Sequence, residues 1–296
     1  DNQALLADPL YLGVRHRRLR GDAYFSLMDE LVDAIKAVFP RALVQWEDFS
    51  NEVAFQVLQR YRDTLPSFDD GGGALHVVVE AGIRTGLARA GRSLADERLV
   101  FYGAGASGAG CALQMRRALA AAGVTAAEID RRVLCLDSKG LILKDRPGLS
   151  GHKVEIAGDP DIVRGWAVTG SRIGLADVVR AFAPTTLVGV SGQAASFTED
   201  IVRTMHAAVA RPIILTLSNP TSKVEARPEQ LLAWTNGAAI IGTGSPFAPV
   251  LHDGVTYHIG QCNNAAGVNR VSEDIDVDAA IHQAIWEPKY LPYRAG

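Results

Sequence analysis

The chain has only three cysteines in 296 residues, Cys111, Cys135 and Cys262, and no Cys-x-x-Cys pair. So odd and widely spaced a set excludes a disulfide framework or a thiolate metal site as the organising device. Cys111 and Cys135 fall in apolar periodic segments and read as small buried residues. No apolar run approaches the roughly 20 residues that cross a bilayer, and no signal peptide opens the chain. A cytoplasmic protein without a membrane partner is therefore expected. An excess of one charge sign is also lacking: the formal net charge is -3, with the signs interspersed, which leaves no footprint for a nucleic-acid partner. The one dense basic run, Arg15-His16-Arg17-Arg18-Leu19-Arg20, reads as a solvated helix end or a subunit contact. No internal repeat or low-complexity linker marks a domain boundary.

What is present is the composition of an ordinary globular protein, 48% hydrophobic and 21% charged, with length for one large domain or two smaller ones. Tyr24, Leu27, Met28, Leu31, Val32, Ile35, Val38 and Phe39 recur with helical period, and Pro40 ends that helix. Residues 42–45 read as a short strand, and Ser50 as the cap of a helix carrying Phe55, Leu58 and Tyr61. Segment 74–90 is ambiguous, because Val77-Val78-Val79 favours a strand and its alanines a helix. Beyond Leu99 the pattern is plain. Apolar strands at 99–102, 133–136, 186–190, 212–217 and 238–241 alternate with helices, one capped by Thr198 and one opened by Pro228. This predicts an α/β protein: a Rossmann-like doubly wound parallel sheet covered on both faces, plus part of a smaller helical or α-β domain. The expected divisions are 1–68, 69–262, and a tail, 263–296, returning to the first domain.

Gly103-Ala104-Gly105-Ala106-Ser107-Gly108 follows a buried strand and opens a helix. Gly103 permits a tight turn, Gly105 lets phosphate oxygens approach backbone N–H groups, and Gly108 allows close helix–strand packing. The helix N-terminus adds partial positive charge. Asp137 ends the next strand roughly thirty residues on, where an acid accepts from ribose hydroxyls. The alternative is a tight α/β turn that binds no nucleotide. An acid there disfavours a 2'-phosphate, so NAD is preferred over NADP. Lys139, Lys144, Arg146 and Lys153 could compensate.

Four further segments are Trp46-Glu47-Asp48-Phe49, Tyr61 to Asp70, Leu217-Ser218-Asn219-Pro220-Thr221 and Gly244-Ser245-Pro246-Phe247. With Asn263-Asn264 and Trp286-Glu287-Pro288, their order and spacing resemble the malic enzyme family from Leu5-Leu6 almost to the end of the chain. The resemblance implies metal-assisted oxidative decarboxylation of L-malate to pyruvate and CO2, with reduction of NAD or NADP. It implies a Mg2+ or Mn2+ ion, with Glu47 and Asp48 matching the first two metal carboxylates. It places Asn219 at substrate and nicotinamide, and Asn263 and Asn264 on the wall opposite. Ser245 and Pro246 read as structural, fixing a loop beside the cofactor. A homo-oligomer acting on a small molecule is implied as well.

The pattern also departs from the family. An ungapped match puts Asp70 on the first of two family aspartates and Gly71 on the second, a metal ligand, so that Asp70 is left as the substitute or the site is impaired. The family's catalytic lysine base and tyrosine acid match no residue here and are expected upstream of residue 1. His76, His206, His252 and His258 are acid–base groups by type only, and read as surface or loop histidines. Beyond Asn264 the family's proline- and glycine-containing stretch is missing, which implies a deletion or omitted residues. Two other readings stay open: a malolactic reaction releasing lactate, and a non-catalytic nucleotide-binding or regulatory subunit.

Overall fold

The computed structural model describes residues 2–46, 49, 51–69, 75–149, 151–168, 170 and 172–262, apart from the side chains of 51, 52, 54, 55, 68 and 69. The chain divides into two compact units, the first running Asp1–Asp69 and the second beginning at Asp70. The expected tail, 263–296, lies outside the described residues.

The first unit contains α1 (Gln3–Ala7), α2 (Gly21–Val38), β1 (Val44–Trp46), α3 (Asn51–Tyr61) and β2 (Ser67–Asp69). Its core gathers Met28 and Val32 of α2, Trp46 of β1, Val57 and Tyr61 of α3, and Leu65. The helical period read over α2 is therefore real, and it aims one stripe inward. Strand β1 begins two residues later than expected. The Ala42 N–H closes the turn after α2 on Phe39 O (2.9 Å), and pairing starts where Val44 N–H reaches Pro66 O (2.9 Å). Strands β1 and β2 are parallel, with Trp46 opposite Asp69. Both stop at the same edge, immediately before Glu47 and Asp70 in sequence.

The second unit opens with α4 (Leu75–Ala90), which settles the ambiguous segment as a helix. Then come β3 (Leu99–Tyr102), α5 (Ala106–Ala121), α6 (Ala126–Arg132), β4 (Val133–Asp137), β5 (Gly140–Leu141) and α7 (His152–Glu155). Helix α8 (Leu175–Phe182), β6 (Thr186–Gly189), α9 (Glu199–Ala208), β7 (Ile213–Thr216), α10 (Pro228–Trp234) and β8 (Ile240–Thr243) follow. Strands β9 (Val250–His252) and β10 (Val255–Tyr257) form a hairpin, and β11 (Gly260–Gln261) joins the main sheet. That sheet has the order β11-β8-β7-β6-β3-β4-β5 and is parallel except for β5, which runs antiparallel to β4 at the edge.

Its five longer strands, β3, β4, β6, β7 and β8, are largely apolar on both faces, as a doubly covered sheet requires. Leu99, Phe101, Cys135 and Val188 pack with α4 and α5. Val100, Leu134, Leu187 and Ile214 pack with α8, α9 and α10. The helices capped by Thr198 and opened by Pro228 form as expected. Strand β8 is shifted two residues from its expected start. Ala238 N–H bonds to Thr235 O (3.0 Å) and Ala239 N–H to Thr235 Oγ1 (3.1 Å), closing the turn after α10.

Candidate functional site

The order in which strands are added to the sheet reverses between the parallel neighbours β3 and β6, and in open α/β sheets that switch point is where a ligand settles. The glycine loop lies there. Gly103 adopts φ +112°, and a Cβ on it would lie 2.5 Å from Val190 O. A side chain at Gly108 would overlap Gly103 O and sit 2.8 Å from Val190 Cγ2. Glycine at these two positions lets the loop after β3 lie against the loop after β6. Gly105, by contrast, has an ordinary φ of -75° as the residue capping α5, and it is exposed. Ala106 and Ser107 occupy the first turn of α5, whose N–H groups head the helix. The arrangement presents N–H donors of the kind that a pyrophosphate accepts from.

Asp137 ends β4 next door. Its carboxylate accepts from Arg146 Nη2 (2.7 Å), Arg146 Nη1 (3.0 Å), Lys153 Nζ (2.6 Å) and the Lys139 N–H (2.8 Å). Burial pushes its carboxyl upward, but the bonds from Arg146, Lys153 and Lys139 outweigh that and hold it well below the usual carboxylate range. The side chain is 8% exposed, so a ribose hydroxyl reaching it meets an acid already engaged by two cations.

On the other side of the switch point, the turn after β7 carries Ser218, Asn219 and Pro220. The Asn219 side chain is exposed, and its Oδ1 accepts from Ser245 Oγ (2.8 Å) in the loop after β8. That bond assigns the oxygen end of the amide and leaves the Nδ2 donors without a partner among the described residues. Thr243 Oγ1 in turn donates to Ser245 O (2.9 Å). A Cβ on Gly244 would overlap Leu217 O, so the turns after β7 and β8 pack backbone to backbone.

Glu47, Asp48, Asp70, Gly71, Asn263 and Asn264 lie outside the described residues. Among the described residues no group of three His, Cys, Asp or Glu could hold a metal ion. His76 corrects its sequence reading. It sits in α4 against Gly110 of α5, with Nε2 buried and without a hydrogen-bond partner among the described residues. Burial, helped by the Arg117 charge, pushes its pKa down to about 4. Gly110, which carries little signal in sequence, lies so close to that ring that a Cβ on it would overlap the imidazole. Glu225, unremarkable in sequence, proves to be wholly buried beside the Asn219 turn.

Residues 71–267 match the family profile described as "Malic enzyme, NAD binding domain", and residues 1–62 the one described as "Malic enzyme, N-terminal domain". The chain belongs to the malic enzyme family. It is 44% identical over 265 residues to an NAD-dependent malic enzyme of Sodalis glossinidius, covering 90% of this chain and 47% of that protein. It is 39% identical over 287 residues to one from Acinetobacter baylyi, covering 93% and 51% respectively. The chain thus spans about half the length of the curated relatives it matches. The solved malic enzyme of Entamoeba histolytica has the same fold, with a TM-score of 0.61 at 21% identity over 83% of this chain and 46% of that one. The NAD-dependent malic enzyme of Thermotoga maritima gives 0.58 at 23% identity, covering 80% and 54%.

Proposed function

We propose that the protein oxidises and decarboxylates L-malate to pyruvate and CO2 with reduction of a nicotinamide dinucleotide, assisted by Mg2+ or Mn2+. The observation that carries this is the join of two features at one sheet edge. One is a glycine cradle at the switch point, and the other is the Asn219 amide, held by Ser245 from the loop after the adjacent strand β8. Gly103, Gly105, Ala106, Ser107 and Gly108 receive the pyrophosphate, and Asp137 lies toward the adenosine ribose. Asn219 donates from Nδ2 to a malate carboxylate beside the nicotinamide, with Asn263 and Asn264 as further substrate contacts.

Glu47 and Asp48, with Asp70 in place of the ligand lost at Gly71, are proposed to hold the cation. The register of β1 and β2 supports this, since it pairs Trp46 with Asp69, the residues that precede Glu47 and Asp70 in sequence. Three carboxylate oxygens suit a hard divalent ion. When bound, the cation polarises the hydroxyl and then the ketone oxygen of the substrate. The general base and acid are assigned to no residue of the chain.

NAD is proposed over NADP because Asp137 stays ionised where a 2'-phosphate would approach, and both curated relatives above are named NAD-dependent. A cytoplasmic homo-oligomer is proposed from the family likeness. Among the described residues no helix is long and apolar enough to cross a membrane.

The test is NAD(P)H formation from L-malate with and without Mn2+, with product analysis. Metal-dependent reduction with pyruvate released supports the reading. Lactate without net cofactor turnover replaces it with the malolactic one, and dinucleotide binding without turnover leaves a binding subunit.

A further inference from the structure

We infer that Glu225 is a positioning residue: it fixes the loop after β6 and the turn after β7 in one register, and so sets the nicotinamide side of the site. The inference rests on the dinucleotide reading above.

Glu225 lies between β7 and α10 and is 0% exposed. No cation pairs with it among the described residues. Its Oε1 instead accepts from Ser191 N–H (2.9 Å), Ser191 Oγ (2.9 Å) and Ser218 Oγ (2.5 Å). Each serine hydroxyl is itself polarised from behind. Ser218 Oγ accepts from Gly192 N–H (2.8 Å), and Ser191 Oγ from Gln193 N–H (3.1 Å). Three donors, the Ser191 N–H and the two serine hydroxyls, therefore converge on one carboxylate oxygen. Backbone bonds run alongside, from Ala195 N–H to Val224 O and from Phe197 N–H to Glu225 O, both 3.0 Å. The carboxylate rests on Gly189, where a Cβ would come within 2.6 Å of Glu225 Cδ. Oε2 is buried without a partner among the described residues.

A buried carboxylate without a counter-ion is a costly way to join two loops, and an apolar residue would serve stability better. The opposite edge of the sheet shows the contrast. There the buried Glu97 has Arg92 as its counter-ion (2.8 Å) and lies far from the C-terminal strand ends where ligands bind. Glu225 sits where geometry matters for chemistry. Ser218 directly precedes Asn219, so fixing the Ser218 hydroxyl fixes the backbone from which the Asn219 amide departs. Val190 and Ser191, on the other arm, form the surface against which Gly103 packs. One carboxylate thereby couples the glycine loop to the Asn219 turn. With Asp137 marking the adenosine half over β3 and β4, the loops Glu225 joins belong to the nicotinamide half over β6 and β7.

The experiment titrates ADP and NADH separately into the full chain by isothermal calorimetry, with thermal melts of each variant. Glu225→Ala and Ser218→Ala are expected to weaken NADH at least tenfold while ADP stays within threefold. Glu225→Gln, whose amide oxygen accepts the same three donors, stays within threefold of the parent for both ligands. Unchanged NADH affinity in both alanine variants overturns the inference, and so does a loss of ADP in step with NADH. If Glu225→Ala fails to fold, Ser218→Ala decides by the same two ratios. A parent chain that binds neither ADP nor NADH sinks the dinucleotide reading itself, and Glu225 with it.

Discussion

Asp137 is an acid whose charge is spoken for. Held by Arg146 and Lys153, it brings one negative and two positive charges to the end of β4. Converting it to Asn removes the only negative member and leaves two cations beside the expected ribose site. Asp137→Asn should therefore shift relative affinity from NADH toward NADPH by about tenfold, or ~1.4 kcal/mol, read by parallel titrations. An unchanged ratio would show that the ribose does not approach this edge. The acid was legible in sequence because it ends an apolar strand after a glycine loop. Its clamp was not, because no local period links positions 137, 146 and 153. His76 was misread for a related reason: one polar residue at a helix start says nothing about the neighbouring helix. With its pKa near 4 against about 6.5 when unfolded, the unfolded chain binds a proton between these values that the native chain refuses. Stability should thus fall as pH drops from 6.5 toward 4. His76→Leu should flatten that part of the curve by on the order of 3 kcal/mol, measured by urea unfolding across pH.

Helix α4 shows how one kind of element signal overrides another. Three consecutive valines favour a strand locally, yet Val79, Ile83 and Leu87 recur every four residues and are all buried, while Val77 is 61% exposed. Burial of a helical stripe decides the outcome. Five of the seven sheet strands were legible because their runs are apolar on both faces, whereas β5 and β11, two residues each, carry no such run. Strand ends were not legible, since neighbouring turns claim particular N–H groups, as at Ala42, Ala238 and Ala239. The α4–α5 contact depends on the absent side chain of Gly110. A methyl there would overlap the His76 imidazole, so Gly110→Ala should cost on the order of 1–3 kcal/mol, visible as a melting point several degrees lower. Glu97 ties β3 to β6 at the far edge of the sheet, through Arg92, Thr185 Oγ1 (2.7 Å) and Thr186 Oγ1 (2.8 Å). Glu97→Ala takes the counter-ion from Arg92 and the acceptor from Thr186 Oγ1, while Arg92 keeps Arg211 O and Thr185 O and the Thr185 hydroxyl keeps Arg98 O. It should cost about 3–5 kcal/mol of stability without changing NADH affinity per folded molecule.

At the scale of the whole molecule, the two units have separate cores. One is built on Trp46, Val57 and Tyr61, and the other lies on the two faces of the seven-stranded sheet. The proposed chemistry follows this line in part: the cation carboxylates Glu47 and Asp48 belong to the first unit, and Asp70 and every residue proposed to meet the dinucleotide belong to the second. Sequence motifs supplied the residues of this proposed division, but Glu225 was beyond their reach, since a glutamate in a polar loop looks solvated until its burial is seen. The division predicts that metal and nucleotide functions separate experimentally. Chelating Mn2+, or replacing Glu47 and Asp48 by Gln and Asn, should lower malate oxidation at least a hundredfold, about 2.7 kcal/mol in the barrier. NADH affinity should stay within twofold of the parent. Oxidation that survives the double substitution would remove the two carboxylates from the cation site. An equal fall in NADH affinity would instead mean that the nucleotide contacts depend on the first unit, contrary to the division drawn from the cores.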